Sequence, residues 1–105
     1  MKYKIQEIPK MDLADFADHE MLEVSVFERP LPENDPSRFY AYFDDTEVKD
    51  RGCLVGAYGN GATPEEAISE YADSISLKTL VKGAYTKDRR EIIVPRLSFN
   101  PQPIN

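Results

Sequence analysis

The chain has 105 residues, 41% of them hydrophobic, with a formal net charge of −6 and a single cysteine, Cys53. This length fits one domain with a modest core. The lone cysteine excludes an intrachain disulfide, and no run approaches the ~20 apolar residues of a membrane-spanning helix.

The charge is unevenly placed. Residues 1–50 hold thirteen Asp/Glu against six Lys/Arg, whereas residues 51–105 hold six against seven. An acidic chain repels phosphate backbones, which disfavours nucleic acid and permits a protein partner with a basic surface. Met1 to Glu7 lacks the apolar stretch of a signal peptide. With one cysteine and no apolar span, the expected location is the cytoplasm. Cys53 is expected to be a small buried apolar residue.

In chain order, Tyr3–Ile8 reads as a short strand ending at Pro9. Asp12 opens a helix in which Leu13, Phe16, Ala17 and Met21 recur at helical spacing. Leu22, Val24 and Val26 then alternate with Glu23 and Ser25, the period of a half-buried strand. Pro30, Pro32 and Pro36 make residues 29–37 a loop.

Arg38 to Phe43 has the clearest strand pattern. Phe39, Ala41 and Phe43 share one face, and Arg38, Tyr40 and Tyr42 share the other. Asp44, Asp45 and Glu47 follow as a turn or a polar continuation, and Cys53–Tyr58 is the next strand. Gly59-Asn60-Gly61 reads as a turn into a helix from about Pro64 to Ser76. Thr63 caps it, Pro64 fits its first position, and Glu66 completes a capping box. Thr79–Ala84 fits either a strand or a helix extension, and Glu91–Val94 is a strand stopped by Pro95.

The expected fold is therefore α+β, in the order β-α-β-β-β-α-(β)-β. An antiparallel sheet of four to five strands carries two helices on one face. Residues 1–98 form the domain, and residues 99–105 form an irregular tail. The expected core is Phe16, Phe39, Phe43, Val55, Ile68, Tyr71, Ile75 and Ile92.

No complete catalytic constellation stands out. His19 is the only histidine, with Asp15 one helical turn away, and zinc ordinarily takes three or four His or Cys ligands. The glycines at 56, 59 and 61 fit neither the dinucleotide nor the P-loop spacing. The expectation is a non-enzymatic binding module with no metal or cofactor.

Two surfaces are candidates for contact. Asp44, Asp45, Glu47 and Asp50 form an acidic cluster around a turn, suited to a basic protein. Arg38, Tyr40 and Tyr42, with Tyr58 a further member of the same face, combine arginine with aromatics, as protein interfaces do and as sheets that stack single-stranded bases do. Pairing of the basic turn Lys87-Asp88-Arg89-Arg90 with the acidic half, within the chain or between copies, leaves a homodimer open.

The segment 39–75 resembles the N-terminal domain of the HicB antitoxin family. The likeness lies in Phe39-Tyr40-Ala41-Tyr42-Phe43, then Gly52-Cys53 and a strand, then Gly61-Ala62-Thr63-Pro64-Glu65-Glu66-Ala67 opening a helix. It implies a small antiparallel sheet carrying a helix, and a domain that binds and blocks a toxin ribonuclease. The helix before Arg29 lies outside that pattern. No helix-turn-helix or ribbon-helix-helix pattern follows Ser98, so the likeness does not extend to DNA binding. The whole chain also resembles uncharacterised small proteins of tailed phages and prophages. That likeness rests on Phe16-Ala17, the strand running to Arg29, Tyr58-Gly59-Asn60-Gly61 with the capping box, and Arg89-Arg90-Glu91-Ile92. It implies a protein that occludes a host protein, such as a defence or nucleic-acid-binding complex.

Overall fold

The computed structural model describes residues 1–6 and 9–100. Among them are β1 (Lys10–Asp12), α1 (Leu13–Glu20), β2 (Val24–Glu28), β3 (Phe39–Phe43), β4 (Thr46–Asp50) and β5 (Cys53–Val55). After these come β6 (Gly59–Gly61), α2 (Pro64–Ile75), β7 (Thr79–Lys82), β8 (Arg90–Ile93) and β9 (Arg96–Ser98). The class is α+β and the strands are mostly antiparallel, as the alternation of patterns predicts. The single sheet is not observed. The strands form three small sheets, in the orders β1-β9, β2-β3-β6 and β5-β4-β7-β8, and only the β1-β9 pair is parallel.

The division falls at the turn after β3. β3 and β4 are consecutive, yet they do not pair with each other. The Asp44 N–H donates to the Glu23 carbonyl on the β2 side (2.9 Å), while the Asp45 carbonyl accepts from Gly83 beyond β7 (3.1 Å). Asp45 has φ 55, the left-handed conformation that Asp tolerates better than most residues. The chain therefore crosses from one sheet to the next within two residues.

Helix α1 is only eight residues long, too short to persist without tertiary support. The Asp12 side chain caps it by accepting from Ala14 N–H (2.8 Å), and Met21 closes it at φ 56. Met21 is thus an exposed cap, whereas the helical spacing placed it on the apolar stripe. Leu13, Phe16 and Ala17 form the buried stripe. At the far end, the Arg90 guanidinium bonds both the Glu20 carboxylate (2.9 Å) and the Glu20 backbone carbonyl. A cation on the last carbonyls complements the helix dipole and ties α1 to β8.

Helix α2 begins as the capping box predicts. The Thr63 hydroxyl accepts from Glu66 N–H (3.2 Å), and the Glu66 carboxylate accepts from Ala62 N–H (2.9 Å), one residue before the usual partner. Ala67, Tyr71, Ala72 and Ile75 are its buried stripe. Its end is tied down by Ser76, whose hydroxyl donates to Ala72 C=O (2.7 Å) and accepts from Leu97 N–H (2.9 Å) of β9.

Gly59-Asn60-Gly61 is a strand, not the expected turn. It lies against α2 so closely that a Cβ on Gly59 would fall on the backbone of Ala67 and Tyr71. One on Gly61 would lie 2.6 Å from Glu66 Cβ. The glycines are there for close approach of two backbones.

The core joins both helices to the sheets. Phe43 of β3 meets Phe16 of α1 (centroids 6.1 Å apart) and Tyr71 of α2 edge-on (5.4 Å). Of the expected core, Phe16, Phe43, Tyr71, Ile75 and Ile92 are buried, and Phe39 and Ile68 are half-buried. Val55 is 46% exposed, because β5 is an edge strand with no element beyond it. Cys53 is exposed for the same reason, beside the Arg51-Gly52 turn.

Four further differences concern elements. Residues 3–6 are not a strand, and the rest of that expectation falls on residues 7–8, outside the described ones. Thr46–Asp50 is a full strand, the strand expected to reach Tyr58 ends at Val55, and Thr79–Lys82 takes the strand alternative already offered. Arg96–Ser98, outside the expected strands, pairs with β1, whereas Phe99 and Asn100 are irregular and 101–105 lie outside the described residues. No helix among the described residues is long and apolar enough to cross a membrane.

Candidate functional site

Helix α2 packs on one face of the β2-β3-β6 sheet, and the opposite face carries half-buried Tyr40 and Tyr42 beside exposed Phe27. Strand alternation decides what each face carries. Ala41 and Phe43 point into the core. Tyr40 and Tyr42 point away, and the register sets Phe27 opposite Tyr40, with Asn60 beside it on β6. The result is an aromatic cluster. Phe27 stacks on Tyr40 (5.1 Å between centroids, planes 18° apart) and on Tyr42 (5.6 Å, 16°). Tyr58 stands edge-on to Tyr40 at 6.1 Å.

Arg29 completes the face. Its guanidinium lies 4.3 Å from the Tyr40 ring centroid, a cation–π contact. It is held there by hydrogen bonds to the Ser37 carbonyl (2.6 Å) and the Asn60 side chain (2.7 Å). Arg38, expected on this face, is turned aside. It pairs with Glu28 (2.8 Å), and its guanidinium lies 5.3 Å from the Phe39 ring, so Arg29 supplies the positive charge instead. Residue alternation found Tyr40 and Tyr42. Phe27 and Arg29 were missed because their place depends on the β2–β3 register, although the run Val24, Val26 already implied an opposite face carrying Ser25 and Phe27.

Phe27 and Tyr58 are 41% and 54% exposed, a large apolar investment in a surface left uncovered. Beside them runs a shallow groove of about 280 Å³ lined by Tyr40, Tyr42, Thr46, Gly56, Ala57 and Tyr58. A wider hollow of about 490 Å³ on the other side of Gly56 and Ala57 is rimmed by Lys49, Asp50 and Lys78.

The four acidic candidates do not form one cluster at a hairpin tip. Asp44 and Asp45 occupy the β3–β4 turn, Glu47 lies within β4, and Asp50 ends that strand. Four strand steps, about 13 Å, separate Thr46 from Asp50. Asp44 accepts from the Ser25 hydroxyl (2.5 Å), and Asp45 lies 3.7 Å from Lys82 Nζ. None of the four lines the aromatic groove itself, although Asp45 and Glu47 flank its lining residue Thr46.

The remaining chemistry-bearing residues do not converge. His19 lies exposed in the last turn of α1, and exposed Cys53 opens β5. Among the described residues no group of three or more His, Cys, Asp or Glu could hold a metal ion. The amides beside the glycines are already engaged: Asn60 N–H donates to Glu70 (3.1 Å) and Ala62 N–H to Glu66. Their carboxylates stand where a phosphate would need to sit.

The chain matches no protein-family model, no curated protein and no solved structure in any of the three comparisons.

Proposed function

We propose that this chain is a non-enzymatic protein-binding module, phage- or prophage-encoded, that acts in the host cytoplasm by occluding a host protein. The open aromatic face carries this reading. Four rings and an arginine are fixed by stacking and hydrogen bonds, and two of the rings, Phe27 and Tyr58, are exposed. Aromatic residues and Arg are the side chains that dominate protein interfaces, and rigid ones lose little entropy on binding.

Base stacking by the same rings, with Arg38, Tyr40 and Tyr42 as its elements, is the nucleic-acid alternative. It is less well supported. Arg38, one of its three elements, pairs with Glu28 (2.8 Å) and is turned off the face. A net charge of −6 also opposes phosphate.

A second protein-binding reading is neutralisation of a small toxin ribonuclease by a HicB-like fold. It rests on the likeness of residues 39–75, where β3, the Gly-Asn-Gly strand and the capped α2 pack as one unit. Toxin and host-protein readings share a surface and differ in the partner.

The test is capture from host lysate with the wild-type chain and with a Phe27→Ser/Tyr58→Ser variant, followed by mass spectrometry. A specific protein retained by the wild type and lost by the variant supports the reading, and a small ribonuclease among the captured proteins selects the antitoxin form. Equal capture by both contradicts the assigned surface.

A further inference from the structure

We propose that the groove beside the aromatic face binds a proline-rich segment in the polyproline II conformation, with a basic residue at one end. This rests on the protein-binding reading above and names its partner chemistry. Such segments lack internal hydrogen bonds, keep their carbonyls free and present pyrrolidine rings that pack on aromatic side chains. The groove supplies both halves of that match. Its walls are the rings of Tyr40, Tyr42 and Tyr58, with Tyr58 at 74° to Tyr40, so the two rings form a corner. The hydroxyls of the three tyrosines are donors for peptide carbonyls, whereas the Thr46 hydroxyl already donates to the Phe43 carbonyl (2.8 Å).

The ends of the groove differ in charge. Tyr42 and Thr46 border the turn that carries Asp44 and Asp45, where two carboxylates outnumber the single ammonium of Lys82 (3.7 Å from Asp45) and the Asp45 side chain is 62% exposed. At the other end the Arg29 guanidinium lies 4.3 Å from the Tyr40 centroid and 6.0 Å from that of Tyr58. A polyproline II helix fits an aromatic groove in either direction, so charge is what selects one. An Arg or Lys of the ligand sits at the Asp44–Asp45 turn, and the opposite end of the peptide faces Arg29. The ligand's positive charge also complements the acidity of residues 1–50.

The test is a titration of the full-length ¹⁵N-labelled chain, followed by amide shifts, with four probes. They are decaproline with arginine at its C-terminus, decaproline with arginine at its N-terminus, a Gly-Ser peptide of equal length carrying arginine, and oligo(dT). The expected result is saturable shifts confined to the groove with both proline peptides, tighter by at least threefold for one orientation, and none with the Gly-Ser peptide. Tyr58→Ala should weaken binding at least tenfold with the remaining amide spectrum unchanged. Asp45→Asn should remove the orientation preference and most of the salt dependence. No saturable shift with either proline peptide, equal binding of the Gly-Ser peptide, or tighter binding of oligo(dT) at the groove would each overturn the proposal. Failure of the proline peptides while Phe27→Ser/Tyr58→Ser still abolishes capture removes only the ligand class. Capture unaffected by that variant removes the surface itself.

Discussion

Gly59 packs against the backbone of Tyr71, with no room between them for a Cβ. This contact sets how closely α2 approaches the sheet, and so how Phe43, Tyr71 and Phe16 interlock beneath the aromatic face. Gly59→Ala must push strand and helix apart, since the obstructing atoms are backbone. Overpacking of this kind costs about 1–3 kcal/mol. Urea unfolding should show a lower midpoint of that size for Gly59→Ala, with a smaller loss for Ala substitution at exposed Gly56, where a Cβ meets nothing within 4 Å.

Tyr71 makes stability sensitive to alkali. Burial pushes its hydroxyl above the ordinary tyrosine value, outweighing the hydrogen bonds with the Phe43 backbone and the Thr46 side chain that act the other way. The folded state therefore holds the proton more tightly than the unfolded chain. Its contribution is complete below about pH 10 and is lost as pH rises through the raised folded value. Denaturant midpoints measured from pH 8 to 11 should fall above pH 10 in the wild type. Tyr71→Phe should lose about 1 kcal/mol at pH 8 through its hydrogen bonds and show a shallower alkaline slope.

Arg90 holds the end of α1. Its two bonds to Glu20 join the helix to β8 across 70 positions of sequence, in a partly exposed setting that moderates their worth. Arg90→Ala should cost about 1–2 kcal/mol, allowing for solvent screening. Arg90→Lys should recover less than half, because a single ammonium lacks the planar fork that reaches carboxylate and carbonyl together. Hydrogen exchange should localise the loss to the amides of Leu13–Glu20.

What the sequence reveals of this fold is what depends on neighbours along the chain. Asp12 and Thr63 mark both helix starts, and the stripes Leu13-Phe16-Ala17 and Ala67-Tyr71-Ala72-Ile75 mark their buried sides. Alternation in Phe39–Phe43 puts Ala41 and Phe43 in the core, whereas Phe39 is half-buried and Tyr42 also packs against the core. What pairing decides is less legible. Nothing local to Asp44-Asp45 says that β3 and β4 enter different sheets, since a two-residue polar link reads as a hairpin. The Gly-Asn-Gly strand reads as a turn because its glycines answer to a helix packed on it. In the candidate site, Tyr40 and Tyr42 follow from alternation, whereas Arg29 replaces Arg38 only once the β2–β3 register and the Asn60 contact are known.

The central claim is that the open aromatic face is the binding surface. It is tested most directly by calorimetry of a captured partner with three folded proteins: wild type, Phe27→Ser/Tyr58→Ser, and Asp50→Lys as a control away from the face. Truncating central aromatic anchors costs about 2 kcal/mol or more each in protein interfaces. The account predicts that the double variant binds at least 100-fold more weakly, while Asp50→Lys stays within threefold of wild type. Equal affinity of the double variant and the wild type, with the fold intact, would contradict it.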